Sequence, residues 1–134
     1  MSDPLVLDTC AMYDRDLVFK LGKYHGGKIL PAVAYMEYAH HMIMDKGKSP
    51  ESISRTLKIA GIEIEQFNSV MALNTVRLAE GNIPDFKENV RDYMIAAHAF
   101  TAPRIIVTNN VDHFSYIRDR VETVQQVIRN RLRW

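Results

Sequence analysis

Leu5-Val6-Leu7-Asp8-Thr9 decides how this chain is read: a short apolar run that ends in a carboxylate. A buried strand of this kind sends its last side chain out of the carboxyl edge of a sheet, where α/β proteins place their chemistry. A carboxylate there is costly to desolvate unless a metal ion, a lysine or arginine, or backbone amides pair with it. Residues 5–8 are expected as the first strand. Function then turns on which other side chains reach Asp8.

Outward from that strand, helical and extended patterns alternate. Asp14 through Leu21 carries Leu17, Val18 and Leu21 at helical spacing and is stopped by Gly22. Lys28-Ile29-Leu30 reads as a short extended piece before Pro31. Ala32 to Lys46 reads as a helix with Val33, Met36, Ile43 and Met44 inward, ended by Gly47. Ser49 as N-cap and Pro50 at the first helical position start a helix that runs to about Ala60. Ile62-Glu63-Ile64 alternates like a half-buried strand. Asn68 to Glu80 is a helix with Val70, Leu73, Val76 and Leu78 apolar, and residues 87–101 form another. Arg104 to Thr108 is the second clear strand, Val121 to Val124 a last one, and Val124 to Leu132 a final helix. Strands alternating with helices predict a parallel-rich sheet covered on both faces, a three-layer α/β/α arrangement.

With 134 residues the chain fits a single domain, residues 1–134, able to bury a core. No linker, low-complexity stretch or internal repeat divides it. The net charge of +1 selects no class of partner, but Arg118, Arg120, Arg129, Arg131 and Arg133 put a basic tail on a slightly acidic remainder. Such a tail suits a polyanion or a solvated helix face. The single cysteine, Cys10, excludes an intrachain disulfide and reads as a small buried hydrophobe. Asp3 and Pro4 precede an apolar run too short for a signal peptide, and no stretch is long enough to cross a membrane. The expectation is a cytoplasmic protein without a membrane partner.

Three acids lie in apolar or small-residue surroundings: Asp8, Glu37 within Ala34-Tyr35-Met36-Glu37-Tyr38-Ala39, and Asp92 within Arg91-Asp92-Tyr93-Met94-Ile95. A polar cluster, Thr108-Asn109-Asn110-Val111-Asp112, follows the second clear strand. In a parallel sheet that strand and the first end on one edge, so the cluster can meet Asp8. Gathered carboxylates repel one another unless a cation sits among them. Hard oxygen donors suit Mg²⁺ or Mn²⁺, which can activate a water and neutralise a phosphodiester in flight. Each acid also has a plain structural alternative. Asp8 can cap the following helix, Glu37 can pair with a basic side chain, and Asp92 can pair with Arg91.

LVLDT, PAVAYMEYA, RDYMIAAHA and RIIVTNNVDHF together resemble the four motifs of PIN domains, especially the VapC-type toxins, from Leu5 to about Val124. The resemblance implies a PIN-like sandwich and an Mg²⁺- or Mn²⁺-dependent endoribonuclease. It also implies a cognate antitoxin and a homodimer. Carried over, Asp8 and Asp92 are direct metal ligands and Glu37 a further acid at the metal or its water. Thr9 and Thr108 supply hydroxyls beside the site. Asn110 takes the fourth catalytic position, where many relatives have an aspartate. Asp112 is a candidate metal ligand in its stead or a solvent-facing side chain. Arg91 and Lys28, with the arginine tail, are candidates for holding RNA phosphates.

Other readings weigh less. Gly22 to Lys28 has the glycine–lysine spacing of a phosphate loop, but Ile29 stands where a hydroxyl must reach the cation, and a helix precedes where a strand should. The five histidines lack zinc spacing. A phosphoacceptor role for Asp8 needs a lysine at the end of a late strand, and Lys87 is the sole lysine after Gly81. The main alternative to a nuclease is a non-catalytic PIN-like module that binds RNA or protein.

Overall fold

The computed structural model describes residues 2–101 and 103–133. Five strands form one sheet: β1 (Leu5–Leu7), β2 (Lys28–Pro31), β3 (Glu63–Glu65), β4 (Ile105–Val107) and β5 (Val121–Glu122). Every pairing is parallel and the order is β3-β2-β1-β4-β5. Helices α1 (Thr9–Met12), α2 (Arg15–Leu21), α3 (Ala32–His40), α4 (Pro50–Ala60), α5 (Ser69–Leu78), α6 (Ile83–Glu88), α7 (Val90–Ala96) and α8 (Val124–Arg131) flank it. The architecture is a three-layer α/β/α sandwich. None of the described helices is long and apolar enough to cross a membrane.

Burial explains the layers. Leu5, Val6 and Leu7 are all fully buried. Successive strand residues face opposite sides, so both faces of β1 must be covered. One group of helices is α2 with α4 and α8; another is α7 with α5 and α3. The strand order changes direction at β1, whose neighbours β2 and β4 lie to either side. Chain connections leave in opposite directions there and open a crevice at the carboxyl ends of β1 and β4.

Local signals place most boundaries. Asp14 accepts the Leu17 amide at the start of α2, and Ser49 accepts the Ser52 amide at the start of α4. Thr123 and Gln126 form a reciprocal capping box on α8. Gly61 ends α4 at φ +71°, and a Cβ there would stand 2.8 Å from Lys28 Nζ.

Several expectations are corrected. β1 stops at Leu7, because Asp8 turns to cap α1, and β5 covers only Val121–Glu122. The helix from Ala32 changes to a π segment at His41–Asp45. Its buried side chains are Ala34 and Tyr38, whereas Met36 and Met44 are exposed, Ile43 is at the margin of exposure and Val33 is only half-buried. Met36 lies about 200° around the helix from Ala34, so the two cannot share a face. The helix expected over 87–101 breaks at Asn89, which separates α6 from α7, and its last turn, Ala97–Ala99, is 3₁₀. Val70, Leu73 and Val76 are exposed, while Asn74 and Thr75 are buried. Thr75 satisfies its hydroxyl by donating to the Met71 carbonyl at 2.7 Å, which lets α5 lay a small polar face on its neighbours.

A second polar cluster ties the sheet to the helical layer. Glu65 accepts from Arg104 at 2.8 and 3.0 Å and from His98 Nδ1 at 2.7 Å. A carboxylate only accepts, so His98 carries its proton on Nδ1. Nε2 is buried with no partner among the described residues.

Candidate active site

Asp8 sits in the crevice between β1 and β4 and is only 1% exposed. Its backbone N–H continues the ladder to the Val107 carbonyl at 3.0 Å. Its Oδ1 accepts the Thr9 amide at 2.8 Å, so Asp8 is the N-cap of α1, bonded to the first helical amide rather than to the second or third as most caps are. Its Oδ2 accepts from the Thr108 hydroxyl at 2.8 Å. The structural alternative for Asp8 therefore holds, and it leaves the carboxylate free to take further partners. Thr108 is fully buried just past β4, and its Oγ1 also accepts the Asn110 amide at 3.0 Å.

The other two acids arrive from helices. Glu37 projects from α3 and accepts from the Thr9 hydroxyl at 2.6 Å. Asp92, in the first turn of α7, is 6% exposed. All three acids meet on one group, the Arg91 guanidinium. Arg91 Nε donates to Glu37 at 2.7 and 2.8 Å, one terminal nitrogen to Asp92 at 2.6 Å, and the other to Asp8 at 3.0 Å and Thr9 Oγ1 at 2.9 Å. Four of its five N–H bonds are thus engaged, which a planar fork permits and an ammonium would not.

The electrostatics follow from this pairing. Burial raises the Glu37 pKa, but hydrogen bonds from Arg91 and Thr9 and the Arg91 charge outweigh it, and Glu37 is held below the usual carboxylate range. Burial pushes Asp92 up, and the Arg91 and His113 charges offset this incompletely. Burial works against the charged form of Arg91, yet its carboxylate partners hold it more firmly protonated than a free arginine. With one monocation against three acids, the cluster keeps a negative surplus.

By chemical type, carboxylate and hydroxyl oxygens of this kind suit a hard divalent cation. Three carboxylates from three elements surround one positive group, with the Thr9 and Thr108 hydroxyls fixing their orientation. In the arrangement seen, the guanidinium takes that position. Among the described residues no three acidic, histidine or cysteine side chains are gathered closely enough to hold an ion.

The sequence-predicted residues divide accordingly. Asp8, Thr9, Glu37, Asp92 and Thr108 converge. Arg91 converges too, as the hub of the acids rather than as an outlying phosphate contact. Asn110 reaches the site by its backbone amide alone, and its side chain is on the exposed side of the turn. Asp112 is exposed and makes no ion pair among the described residues, so it does not join the convergent acids in this arrangement. Lys28 does not join. It begins β2, at the opposite edge of the sheet, and its Nζ donates to the Leu21 and Tyr24 carbonyls at 2.9 and 3.1 Å. Of the tail arginines, Arg120 is tied to the Ala99 and Phe100 carbonyls and Arg131 to Glu122, while Arg118, Arg129 and Arg133 are exposed.

Two further residues stand at the site without having been assigned to it: Cys10, expected as a small buried hydrophobe, and His113, weighed only among histidines without zinc spacing. Cys10 is half-buried, with Sγ 3.7 Å from Asp8 Oδ2 and 3.5 Å from Thr108 Oγ1. His113 Nδ1 lies 3.4 Å from Asp92 Oδ2. Their positions in LVLDTC and NNVDH, flanking residues already singled out, were the available signal.

A groove of about 820 Å³ is lined by Tyr13, Tyr38 and Phe19, with Arg15, Lys46 and Lys48 among its walls; none of the three acids lines it, and Tyr13 is its link toward Glu37. Tyr13 stands near enough to Glu37 that burial and the Glu37 charge together raise its hydroxyl pKa. Against known proteins, the chain matches no family model and no curated protein.

Proposed function

We propose that the chain is a PIN-like, Mg²⁺- or Mn²⁺-dependent endoribonuclease, with Asp8, Glu37 and Asp92 as its acidic centre. One observation carries the reading: three carboxylates, from just past β1 and from α3 and α7, converge on a single cationic group in the crevice where an α/β sheet puts its chemistry. Bound among them, a divalent cation supplies an acidified water and charge neutralisation on the phosphodiester. The chain's own residues do the positioning. Thr108 and the Thr9 amide lock Asp8, and the Thr9 hydroxyl locks Glu37. The groove offers aromatic faces at Tyr13 and Phe19 for unstacked bases, and positive charge at Arg15, Lys46 and Lys48 for phosphates. That combination suits single-stranded RNA.

In the toxin form of this reading, the partner is an antitoxin that covers the site, and the exposed apolar face of α5 suits a second copy of the chain. A short reading frame adjoining this one supports the toxin form, and its absence supports a standalone RNA-processing role.

The test is cleavage of a labelled single-stranded RNA by the purified full chain in Mn²⁺ or Mg²⁺, native against Asp8→Asn. Native protein is expected to cleave, and the variant to lose at least about a hundredfold in rate. Equal rates would sink the site assignment. A second reading, the non-catalytic binding module, is favoured by the uncharged side chain of exposed Asn110 and by Arg91, which already pairs with all three acids. RNA binding without metal-dependent cleavage by the native chain decides for it.

A further inference from the structure

Arg91 occupies the centre of the acidic cluster but is not buried beneath it. Its side chain is 38% exposed, against 2% for Asp8 and 9% for Asp92. It therefore lies at the mouth of the crevice, outside Asp8 and Asp92 and level with Glu37, and can leave without opening a cavity in the core. It is carried by the first turn of α7, next to Asp92, which stays inside. A guanidinium is a broad, flat cation, and its three nitrogens each engage a different acid. That geometry spreads the carboxylates around its rim, whereas a small divalent ion would draw them to one point.

We propose that Arg91 is the resident counter-cation of the site, and that its guanidinium moves outward as a divalent ion is taken up. The inference rests on the proposed nuclease reading and deepens it. Arg91 shares all its acidic partners with the metal, so arginine and metal cannot both be seated there. Metal uptake exchanges Arg91's hydrogen bonds for metal–oxygen bonds at the same carboxylates. Once out, the guanidinium remains on α7 beside the site, within reach of an RNA phosphate approaching Asp92.

The exchange lowers apparent metal affinity by the fraction of molecules with Arg91 already out. If that minor state is one-tenth or less, Arg91→Gln tightens Mn²⁺ binding about tenfold or more. Arg91→Lys keeps the charge but not the fork, and tightens it too. Mn²⁺ titration followed by electron paramagnetic resonance reads both, on full-length protein. In the native chain, nitrogen–proton spectra of Arg91 Nε follow the exchange directly. The Nε–H bonded to Glu37 is expected to be protected from solvent without metal and to lose protection as Mg²⁺ saturates. This second measurement needs no variant to fold.

An Arg91 Nε–H that stays protected at saturating Mg²⁺ overturns the exchange, as does weaker or unchanged Mn²⁺ binding in both variants. In either case Asp8-dependent RNA cleavage by the native chain leaves the nuclease reading standing. If neither the native chain nor the variants bind Mn²⁺, the metal site and the exchange fall together.

Discussion

Asp8 shows at the residue scale how one side chain combines a structural and a chemical duty. Its Oδ1 caps α1 and its Oδ2 takes the Thr108 hydroxyl, so its orientation is fixed before any ligand arrives. Thr108→Val would remove a charge-assisted bond from a buried carboxylate, with a loss of about 2 kcal/mol in urea unfolding. A loss near zero would mean that Thr108 does not hold Asp8. The acids were legible in the sequence because each stands out against apolar neighbours. Arg91 was legible only in part. Beside Asp92 in the chain it reads as a local ion pair, and its reach to Glu37 and Asp8 exists only after three elements pack. Lys28 differs in the opposite direction: a lysine next to a glycine turn looks free, yet its Nζ donates to carbonyls at and just past the end of α2.

Among the elements, those with local stop and start signals matched their expectation. α4 has Ser49, Pro50 and Gly61 in the positions that helix ends require. Ser49→Ala is expected to lower stability by about 1 kcal/mol in denaturant melts, and an unchanged midpoint would show the cap to be idle. α5 and the segment from Ala32 were read less well, for a common reason. Apolar spacing says which residues share a face, not which face turns inward. In α5 the inward face is Asn74 and Thr75, so Leu73→Lys should leave monomer stability within about 0.5 kcal/mol. A larger loss would place Leu73 in a contact. The break at Asn89 was invisible because Asn89 carries neither glycine nor proline. Its side chain instead binds Asp85, back within α6.

The sheet as a whole was legible from the alternation of elements, and β1 and β4 end on one edge as expected; that they are also neighbours appears only in the structure. Less visible was the Glu65–His98–Arg104 cluster, which joins β3, the turn after α7 and the residue before β4. Burial lowers the His98 pKa; the Glu65 charge opposes this and Arg104 adds to it. A proton on Nε2 would find no acceptor among the described residues. The unfolded chain therefore binds that proton first, and stability falls as pH drops through the window below the ordinary histidine value of about 6.5. The native chain should lose more stability between pH 7.5 and 5.5, taken as roughly one unit either side of that value, than His98→Gln. Equal losses would remove His98 as the cause. Glu65 acts in a separate, more acidic window. Its lowered pKa gives stability that is present above the ordinary carboxylate range and lost as pH falls through its folded value.

Asp8 and Thr108 are one hundred positions apart, and their strands pair directly. Contacts of such long separation form late, because the loop between them must close first. During synthesis, the N-terminal half can pair β1 with β2 and β2 with β3 while Asp8 still lacks both Thr108 and Arg91. A nascent or truncated chain thus carries the carboxylate without its neighbours. Whatever chemistry the crevice performs begins only when the last strands have left the ribosome.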